Sequence, residues 1–375
     1  MTAPQGAAGV TAAETIALVE SPVQLLNVLE WTYSGGTVTP CTVVVLPPRD
    51  PMSRGQLRRM AQLAADEGLT VRWEEVRGGR SGPAATLRRL RGPLRAARRV
   101  IVGDPFSRWM QLLLALTPAP EIVVVDDGTA TMEFVGQLAR GERFVRWHRT
   151  GRRGGARALL TGGAFAPVSA VARRRLTPRA DRAGRGAQDG RRVEVFSSMP
   201  VEPPAGVHTS RCEFAWTRAR FGPPRLTRST DLVGTSLVET GVVDYERYLQ
   251  AVGALARTHG ATRYFAHRRE SVEKLQALTR ATGLEIVRPD LPLELVARRG
   301  PIGHTIVSFP STVVHTLPLA LAGTGVQVAV VGIDPAWLTA HASPRAQGFL
   351  ASVAGAAQRE KGAGGVRLVI PPAAV

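Results

Sequence analysis

Short apolar runs of strand type alternate with helical stretches along most of this 375-residue chain. In the first third the strand-like runs are ETIALVE, CTVVVLPP, LTVRWEEV, RVIVGD and EIVVV. From residue 192 onward they are RRVEVFSS, DLVGTSLV, TRYFAHR, LEIVRP, GHTIVSFP and GVQVAVVG. Strands that alternate with helices form βαβ units, in which the strands lie parallel in one sheet. The pattern therefore predicts an α/β fold.

Between the two sets of βα units, at about residues 149–191, the composition shifts to Arg, Gly and Ala. We interpret this segment as a connector between an N-terminal domain of residues 1–148 and a C-terminal domain of residues 192–375, both Rossmann-like. Two such domains that face each other form a cleft, which is a common site for a nucleotide-linked ligand. The connector arginines form either a solvated basic hinge or a surface that guides an anionic ligand.

The net charge of +18 at pH 7 limits the classes of partner. Excess positive charge favours nucleic acid, anionic lipid or polyanionic sugar. Aromatic residues make up only 5% of the chain and are not interleaved with the arginines, so no nucleic acid partner is expected. Of the 48 basic residues, only Lys274 and Lys361 are lysine.

Three absences from the sequence favour a cytoplasmic protein. No apolar run is long enough to span a bilayer, and the first residues lack the basic and apolar regions of a secretory signal. Cys41 and Cys212 offer no disulfide framework and no metal ligand set. We expect a cytoplasmic location, with peripheral association at an anionic inner membrane face as an extension of that expectation.

Three polar clusters follow strand-like runs, where ligands bind in open parallel sheets. They are Asp126-Asp127-Gly128 after EIVVV, His267-Arg268-Arg269-Glu270 after TRYFA, and Ser311-Thr312 after HTIVSFP. A carboxylate can act as a general base toward a sugar hydroxyl, and an imidazole that titrates near neutrality can donate a hydrogen bond or a proton to a leaving phosphate. Two hydroxyls at a helix N-terminus suit a phosphate. The chain contains no Asp-x-Asp sequence, which argues against a metal-held diphosphate.

Each cluster also has a structural interpretation. Successive strand residues face opposite sides, so Asp126 and Asp127 cannot both point to a cleft, and one of them can cap the turn that Gly128 permits. A histidine at a strand end is often structural, and a Ser or Thr is a frequent helix N-cap. Glu294 either accepts hydrogen bonds from a ribose or is an exposed residue at a helix start.

Taken in order, the clusters resemble the motifs of the bacterial sialyltransferase and polysialyltransferase group. That group has an Asp/Glu-Asp/Glu-Gly motif, a His-Pro motif and a Ser-Ser or Ser-Thr motif in this order. Three further runs are similar to it, namely SPVQLLNVLEW, LVGTSLVETGVVDYERYLQAV and LPLELV. The likeness covers about residues 14–333, apart from the connector. One position differs, because His267 is followed by Arg268 and not by proline.

The resemblance implies a GT-B fold and an inverting, metal-independent glycosyltransferase of polysaccharide biosynthesis. Such an enzyme moves sialic acid, or a related nonulosonic acid, from a CMP-linked donor to a hydroxyl of a glycan acceptor, which can be anionic. No cofactor is expected. The N-terminal domain would hold the acceptor and the C-terminal domain the nucleotide sugar.

The resemblance also implies roles for individual residues. Asp126 would be the base and His267 the second catalytic residue. Donor binding is assigned to Ser311, Thr312, Glu294, Gly234 and Arg268, and the acceptor side to Ser21, Gln24 and Asp127.

Two alternatives remain open at this stage. One is a GT-B glycosyltransferase that uses a different nucleotide sugar. The other is a non-enzymatic, basic polyanion-binding protein in which the clusters are only turns and caps. The two βα halves and the scarcity of interleaved aromatic residues count against the second.

Overall fold

A computed structural model describes residues 15–35, 40–77, 82–144, 156–178 and 191–340 and part of the segment 342–369. The chain divides into two compact units. Unit 1 comprises residues 1–49 and 60–210, and unit 2 comprises residues 50–59 and 211–375. No described helix is long and apolar enough to cross a lipid bilayer.

The N-terminal part of the chain forms the sheet of unit 1. Its described strands are β1 (Thr15–Val19), β2 (Cys41–Val45), β3 (Thr70–Trp73), β4 (Arg99–Val102), β5 (Glu121–Val125), β6 (Arg192–Ser197) and β7 (Val207–Arg211). The described helices between them are α1 (Pro22–Ser34), α2 (Pro51–Asp66), α3 (Gly82–Ala96), α4 (Arg108–Leu116), α5 (Thr129–Ala139) and α6 (Ala156–Leu176).

The strands of unit 1 lie in the order β3-β2-β1-β4-β5-β6-β7, and the pairs from β3 to β6 are parallel. β-branched Val and Ile fill the inner strands, and residues 122–125 of β5 are all buried. A strand covered on both faces reads as a continuous apolar run, which explains why these strands were visible in the sequence.

The C-terminal part of the chain forms the sheet of unit 2. Its described strands are β8 (Leu226–Val233), β9 (Ala261–Phe265), β10 (Glu285–Val287), β11 (Ile302–Ser308), β12 (Gln327–Val331) and β13 (Arg367–Val369). The described helices are α7 (Ala215–Arg220), α8 (Tyr245–His259), α9 (Val272–Thr282), α10 (Leu293–Arg299) and α11 (Val313–Ala320). The strands lie parallel in the order β10-β9-β8-β11-β12-β13.

Helix α8 shows how local sequence sets the ends of an element in unit 2. The Asp244 side chain accepts the Arg247 N–H and caps the helix start. Gly260 follows the helix in the left-handed region, with φ +58°, a conformation that glycine adopts without steric cost. α9 repeats this arrangement with an N-terminal serine and a C-terminal glycine.

The predicted boundary between the domains is wrong. β6, which was assigned to the start of the C-terminal domain at residue 192, pairs in parallel with β5 in the sheet of unit 1. A single strand-like run does not encode the sheet that it joins, because strand pairing is a long-range contact. The units divide near residue 210 instead.

The predicted connector is also part of unit 1 where the structure describes it. α6 lies within residues 149–191, packs against α4, and contributes Ala172 and Leu176 to the buried core of unit 1. Arg175 is half-buried and donates to the Ala119 carbonyl, whereas Arg173 and Arg174 are exposed. The remainder of the predicted connector, residues 149–155 and 179–190, lies outside the described residues.

Both units confirm the predicted fold class. Each has a mostly parallel sheet with the strand order 3-2-1-4-5-6 of a Rossmann-like domain, extended in unit 1 by β7. The order reverses between β1 and β4 in unit 1 and between β8 and β11 in unit 2. Ligands bind at the carboxyl ends of strands beside such a reversal. The fold therefore places one candidate edge in each unit.

Candidate functional site

Three neighbouring strands of unit 2 end beside predicted site residues at one edge of the sheet. The register places the last residue of β8 level with the ends of β9 on one side and β11 on the other. Gly234, His267 and Ser311 follow these strands within one to three positions. Strands pack about 4.8 Å apart, so the two outer loops leave strand ends that are about 10 Å apart. Topology thus brings the histidine and the hydroxyl pair to the same edge.

The hydroxyl pair begins α11 but does not cap it through a side chain. Thr312 precedes the helix, and among the described residues its hydroxyl accepts no capping hydrogen bond. Ser311 and Thr312 are half-buried, and Ser311 Oγ lies 3.4 Å from Ser308 Oγ. The N-terminal end of a helix carries a partial positive charge. Two hydroxyls and a helix N-terminus at the reversal of strand order suit a phosphate.

The imidazole of His267 is a neutral hydrogen-bond donor. Its Nδ1 accepts the Arg269 N–H at 3.2 Å, so the ring proton lies on Nε2. Burial, followed by the charges of Arg268, Arg269 and Lys274, lowers the pKa of His267 to about 4. The prediction that this ring titrates near neutrality is therefore wrong, because partial burial and neighbouring cations disfavour its charged form. Donation from Nε2 to a ligand oxygen remains available.

A buried polar network that the sequence did not reveal lies behind His267. Glu270 accepts the His267 N–H at 2.6 Å, the Tyr264 hydroxyl at 2.6 Å and the Lys274 ammonium at 2.8 Å. Burial raises the pKa of Glu270, whereas Lys274 lowers it. Burial also raises the pKa of Tyr264 well above its ordinary value, so this hydroxyl remains a donor. One signal was present, since Lys274 is one of two lysines among 48 basic residues.

Gly234 is explained by this network. A Cβ at residue 234 would lie 2.3 Å from Tyr264 Oη and 2.4 Å from Glu270 Oε2. The glycine therefore allows the end of β8 to approach two buried polar groups. A contact between Gly234 and the nucleotide-sugar donor stays a prediction.

The other predicted donor residues differ in exposure. Glu294 is 5% exposed and accepts a hydrogen bond from the Thr316 hydroxyl, so the alternative of an exposed helix-start glutamate is wrong. Arg268 is exposed beside His267, and its charge lowers the pKa of the His267 imidazole. The donor-binding roles of both residues stay predictions.

In unit 1, the carboxylate of Asp126 holds the loop after β5. It accepts the Gly128 N–H at 3.0 Å, the Ser198 N–H at 3.1 Å and the Ser198 hydroxyl at 2.9 Å, and the residue is 2% exposed. Its carbonyl accepts a hydrogen bond from Asn27. Gly128 has φ +68°, which confirms that it permits the turn. Asp126 Oδ1 therefore holds the turn at Gly128, and Oδ2 connects this loop to Ser198 at the end of β6.

Asp127 is the more accessible carboxylate of the pair. Its backbone N–H donates to Thr131 at 2.9 Å, and the residue is half-buried. Ser21, which caps α1 by accepting the Gln24 N–H, directs its hydroxyl toward Asp127 Oδ1 at 3.5 Å. The structure thus joins two predicted acceptor-side residues at the carboxyl edge of unit 1.

Gln24, the third predicted acceptor-side residue, has structural contacts. It is 2% exposed, and its Oε1 accepts the Glu20 N–H at 2.7 Å. A Cβ at residue 103 would lie 2.3 Å from the Gln24 side chain, so the glutamine fills the space over Gly103 at the end of β4. These contacts hold the ends of β1 and β4 together, and a direct role with an acceptor stays a prediction.

The edge of unit 1 also contains polar residues that were not predicted from the sequence. Arg77 pairs with Glu20 and donates to the Leu46 and Pro47 carbonyls. Burial raises the pKa of Glu20, and Arg77 opposes that shift. Like Ser198, Glu20 directly follows a strand, so the strand-end rule that found Asp126 could have found both.

The strand orders and edges described above are those of two Rossmann-like domains, which is the make-up of a GT-B fold. Among solved structures, the chain is similar to the alpha/beta-galactoside alpha-2,3-sialyltransferase of the luminous marine bacterium Photobacterium phosphoreum. The TM-score is 0.51 and the identity 9%, over 94% of this chain and 97% of that chain. This likeness confirms the fold along nearly all of both chains.

Two further structures match at lower TM-scores. Heptosyltransferase WaaC of E. coli, with ADP-2-deoxy-2-fluoro heptose, has a TM-score of 0.38 and 14% identity over 86% of this chain and 90% of that chain. MurG of Acinetobacter baumannii has a TM-score of 0.38 and 12% identity over 96% of this chain and 87% of that chain. No family model and no curated protein matches the sequence.

Proposed function

We propose that this protein is a glycosyltransferase that moves a sugar from a nucleotide-linked donor to a hydroxyl of a glycan acceptor. One observation carries the proposal. At the reversal of strand order in unit 2, neutral His267 and the hydroxyls of Ser311 and Thr312 leave strands on either side of β8. These groups, with the N-terminus of α11, are hydrogen-bond donors of the kind that stabilise a leaving phosphate.

The proposed donor is a CMP-linked sialic acid or related nonulosonic acid, transferred with inversion. The ordered motifs support this donor, and so does a fold shared with a bacterial sialyltransferase. A CMP-linked donor carries a single phosphate, which gains negative charge as the glycosidic bond breaks. Neutral N–H and O–H donors can stabilise that charge without a divalent ion. Metal independence is therefore part of the proposal.

For the acceptor, the proposal gives the role of base to Asp127 instead of Asp126. Asp126 is buried and uses both oxygens to hold the loop, whereas Asp127 is half-buried beside Ser21. A general base must come within hydrogen-bond reach of the proton that it removes. Asp127 removes the proton of the acceptor hydroxyl while the oxygen of that hydroxyl attacks the anomeric carbon of the sugar. The donor phosphate leaves with the electron pair of the broken glycosidic bond.

The acceptor or the anionic membrane surface is proposed to meet the exposed arginines of α6. Arg173 and Arg174 are exposed, whereas Arg175 belongs to the packing of unit 1. Contacts between exposed charges are screened within about 8 Å at physiological salt. Replacing both exposed arginines with glutamine should raise the acceptor KM and reduce its salt dependence, or weaken binding to anionic vesicles, without changing CMP affinity.

A thermal-shift series with CMP, UDP and GDP, each with EDTA or with Mn²⁺, tests the donor class. Stabilisation by CMP in EDTA is expected, because a ligand that binds only the folded state raises its stability. Stabilisation by UDP or GDP alone would replace the CMP donor with the runner-up, another nucleotide sugar. Stabilisation only by polyanions such as heparin would contradict the enzyme and favour the non-enzymatic alternative. Transfer of sialic acid from CMP-sialic acid to a galactoside completes the test.

A further inference from the structure

We infer that Lys274 and Glu270 are positioning residues that fix His267 for the donor phosphate, through a buried brace that connects the loops at the carboxyl edge of unit 2. The brace comprises Lys274, Glu270, Tyr264 and Tyr248. The inference rests on the proposed function for its ligand, and on the contacts below for its geometry.

Glu270 is the centre of the brace. Its Oε2 accepts the His267 N–H at 2.6 Å, while Oε1 accepts the Lys274 ammonium at 2.8 Å and the Tyr264 hydroxyl at 2.6 Å. Lys274 is 1% exposed and Glu270 is 4% exposed. The backbone of His267 is thereby attached to a carboxylate whose own position is set by two further donors. The turn also contains the Arg269 N–H that selects the tautomer of His267.

Lys274 connects this turn to the loop that follows β8. Its ammonium donates to the Thr235 carbonyl at 3.1 Å and contacts Glu239 Oε2 at 3.3 Å. The other oxygen of Glu239 accepts the Ser271 N–H at 3.2 Å, just before α9. A shift in either loop would therefore break hydrogen bonds in both.

Tyr248 extends the brace toward the hydroxyl pair. Its hydroxyl lies 2.5 Å from that of Tyr264, and because Tyr264 donates to Glu270, Tyr248 must donate to Tyr264. Its ring packs against Phe309, with ring centroids 4.5 Å apart. Phe309 directly follows β11, two residues before Ser311. All three loops at the edge thus contact one buried network.

The choice of lysine supports a specific role. The chain uses lysine at two of 48 basic positions, and one of them is this buried site. An ammonium has three donors on a compact head, which here meet Thr235, Glu239 and Glu270 while the charge lies 4.2 Å from the ring centre of Tyr248. A planar guanidinium has another shape and another donor arrangement.

Stability alone is a weak explanation for such a pair. Two buried charges lose hydration, and replacement of a buried ion pair by apolar residues of similar volume is often neutral or stabilising. Removal of one partner alone, in contrast, leaves an uncompensated buried charge. What an apolar pair cannot supply is an acceptor for the His267 N–H. The brace is therefore assigned to the orientation of His267.

The test replaces both charges together, as Glu270→Met with Lys274→Met, in the full chain. The readout is the ¹⁵N–¹H pattern of the histidine side chains, with His267 assigned by its loss in His267→Asn. Wild type should show the Nε2–H tautomer at pH 7 and titrate near pH 4, beside Arg268, Arg269, Lys274 and Glu270. The double variant should remain folded, show both tautomers and titrate closer to the ordinary histidine pKa.

Asp231→Asn with Arg263→Gln is the matched control. It removes another buried ion pair from unit 2, between β8 and β9, whose described contacts do not include the loop of His267. This control should keep the wild-type tautomer. Gly234→Ala, whose Cβ would displace Glu270, provides a second variant and should produce the same change in His267 as the double variant. The inference is overturned if the folded double variant, or Gly234→Ala where the double variant does not fold, keeps the wild-type tautomer and titration.

Ligand measurements separate this inference from the proposed function. With CMP, the double variant should bind within a few-fold of wild type, whereas turnover with CMP-sialic acid should fall by about 10²-fold, the cost of a misplaced catalytic group. A wild-type chain that binds no CMP would reject the proposed donor, while the tautomer result would still decide the brace. Equal turnover in wild type and the folded double variant would reject the positioning role.

Discussion

The carboxyl edges of the two sheets have the same strand order but carry opposite chemistry. In unit 1 the residues that follow the strands include the carboxylates Glu20, Asp126 and Asp127, whereas unit 2 presents His267 and the Ser311–Thr312 pair. The parallel sheet sets where each loop begins, and the first few residues after each strand determine what the edge can bind. One topology can therefore present carboxylates in one unit and, in the other, the neutral hydrogen-bond donors that the proposed function assigns to a phosphate.

The two edges also differ in how a buried carboxylate is satisfied. Within the described part of the chain, the carboxylate of Asp126 in unit 1 accepts from neutral donors, which are the Gly128 N–H and the N–H and hydroxyl of Ser198. Glu270 in unit 2 accepts from an ammonium as well as from neutral groups. Both carboxylates fix a loop, which teaches that an acidic residue after a strand is not by itself a catalytic one.

The largest expected effect separates the two aspartates of unit 1. Asp127→Asn should lower turnover by about 10²–10⁴-fold with CMP affinity unchanged, because a positioned general base is lost. Asp126→Asn removes a carboxylate whose hydrogen bonds hold the loop after β5. This variant should instead lower the free energy of unfolding by about 1–3 kcal/mol. Kinetics with CMP-sialic acid and chemical denaturation of both variants provide the measurements. A stable Asp126→Asn with lost turnover, beside an active Asp127→Asn, would return the base to Asp126.

The next effect concerns the neutral imidazole of unit 2. His267→Ala should lower turnover by about 10²–10³-fold, the range measured when one donor to a developing charge is removed. His267→Gln keeps an N–H donor at the end of the side chain and should recover part of that loss. Equal inactivity of the alanine and glutamine variants would mean that His267 transfers a proton. Both units would then supply a group that exchanges protons, and the edge of unit 2 would not act through neutral hydrogen-bond donors alone.

The sequence predicted the fold class because buried parallel strands are continuous apolar runs. It failed where a strand is polar. The run DLVGTSLV was predicted as a strand, but β8 spans Leu226–Val233 and begins in a polar stretch whose buried Asp231 pairs with Arg263. It also failed for β6, whose sheet is defined by pairing with β5.

The site was predicted as far as chain order allows. Each cluster follows a strand, so the strand-end rule located all three. The proposed division of roles between Asp126 and Asp127 depends on the contact of Asp126 with Ser198, which is 72 residues away in the sequence. The burial of Gln24 depends on Gly103 in another strand loop, and the lowered pKa of His267 depends first on burial of the ring, to which the charges of Arg268, Arg269 and Lys274 add. Contacts between loops of different strands, which no local pattern contains, account for these differences.

A smaller effect is expected on donor affinity at the edge of unit 2. Ser311→Ala with Thr312→Val should weaken CMP binding by about 10–100-fold, because a hydrogen bond to a charged group contributes about 1.5–3 kcal/mol. Thr324→Val is the matched control, since its hydroxyl bonds to the Leu321 carbonyl beyond the other end of α11. Calorimetric titration with CMP measures both. Equal affinities would show that the hydroxyl pair does not bind the phosphate.

The smallest effect concerns pH and contrasts His267 with an exposed histidine of unit 1. The pKa of His267 in the folded chain is about 4, below the ordinary value of 6.5, so folding favours the neutral ring. Its contribution to stability is therefore fully present above about pH 6.5 and is lost as the pH falls toward 4. Because the ring is only half-buried, we expect wild type to lose roughly 2 °C more in Tm than His267→Asn between pH 7 and pH 4.5. His208→Asn, at an exposed position in β7, should follow wild type. Parallel Tm curves for wild type and His267→Asn would show that the imidazole is hydrated and charges as readily as in the unfolded chain.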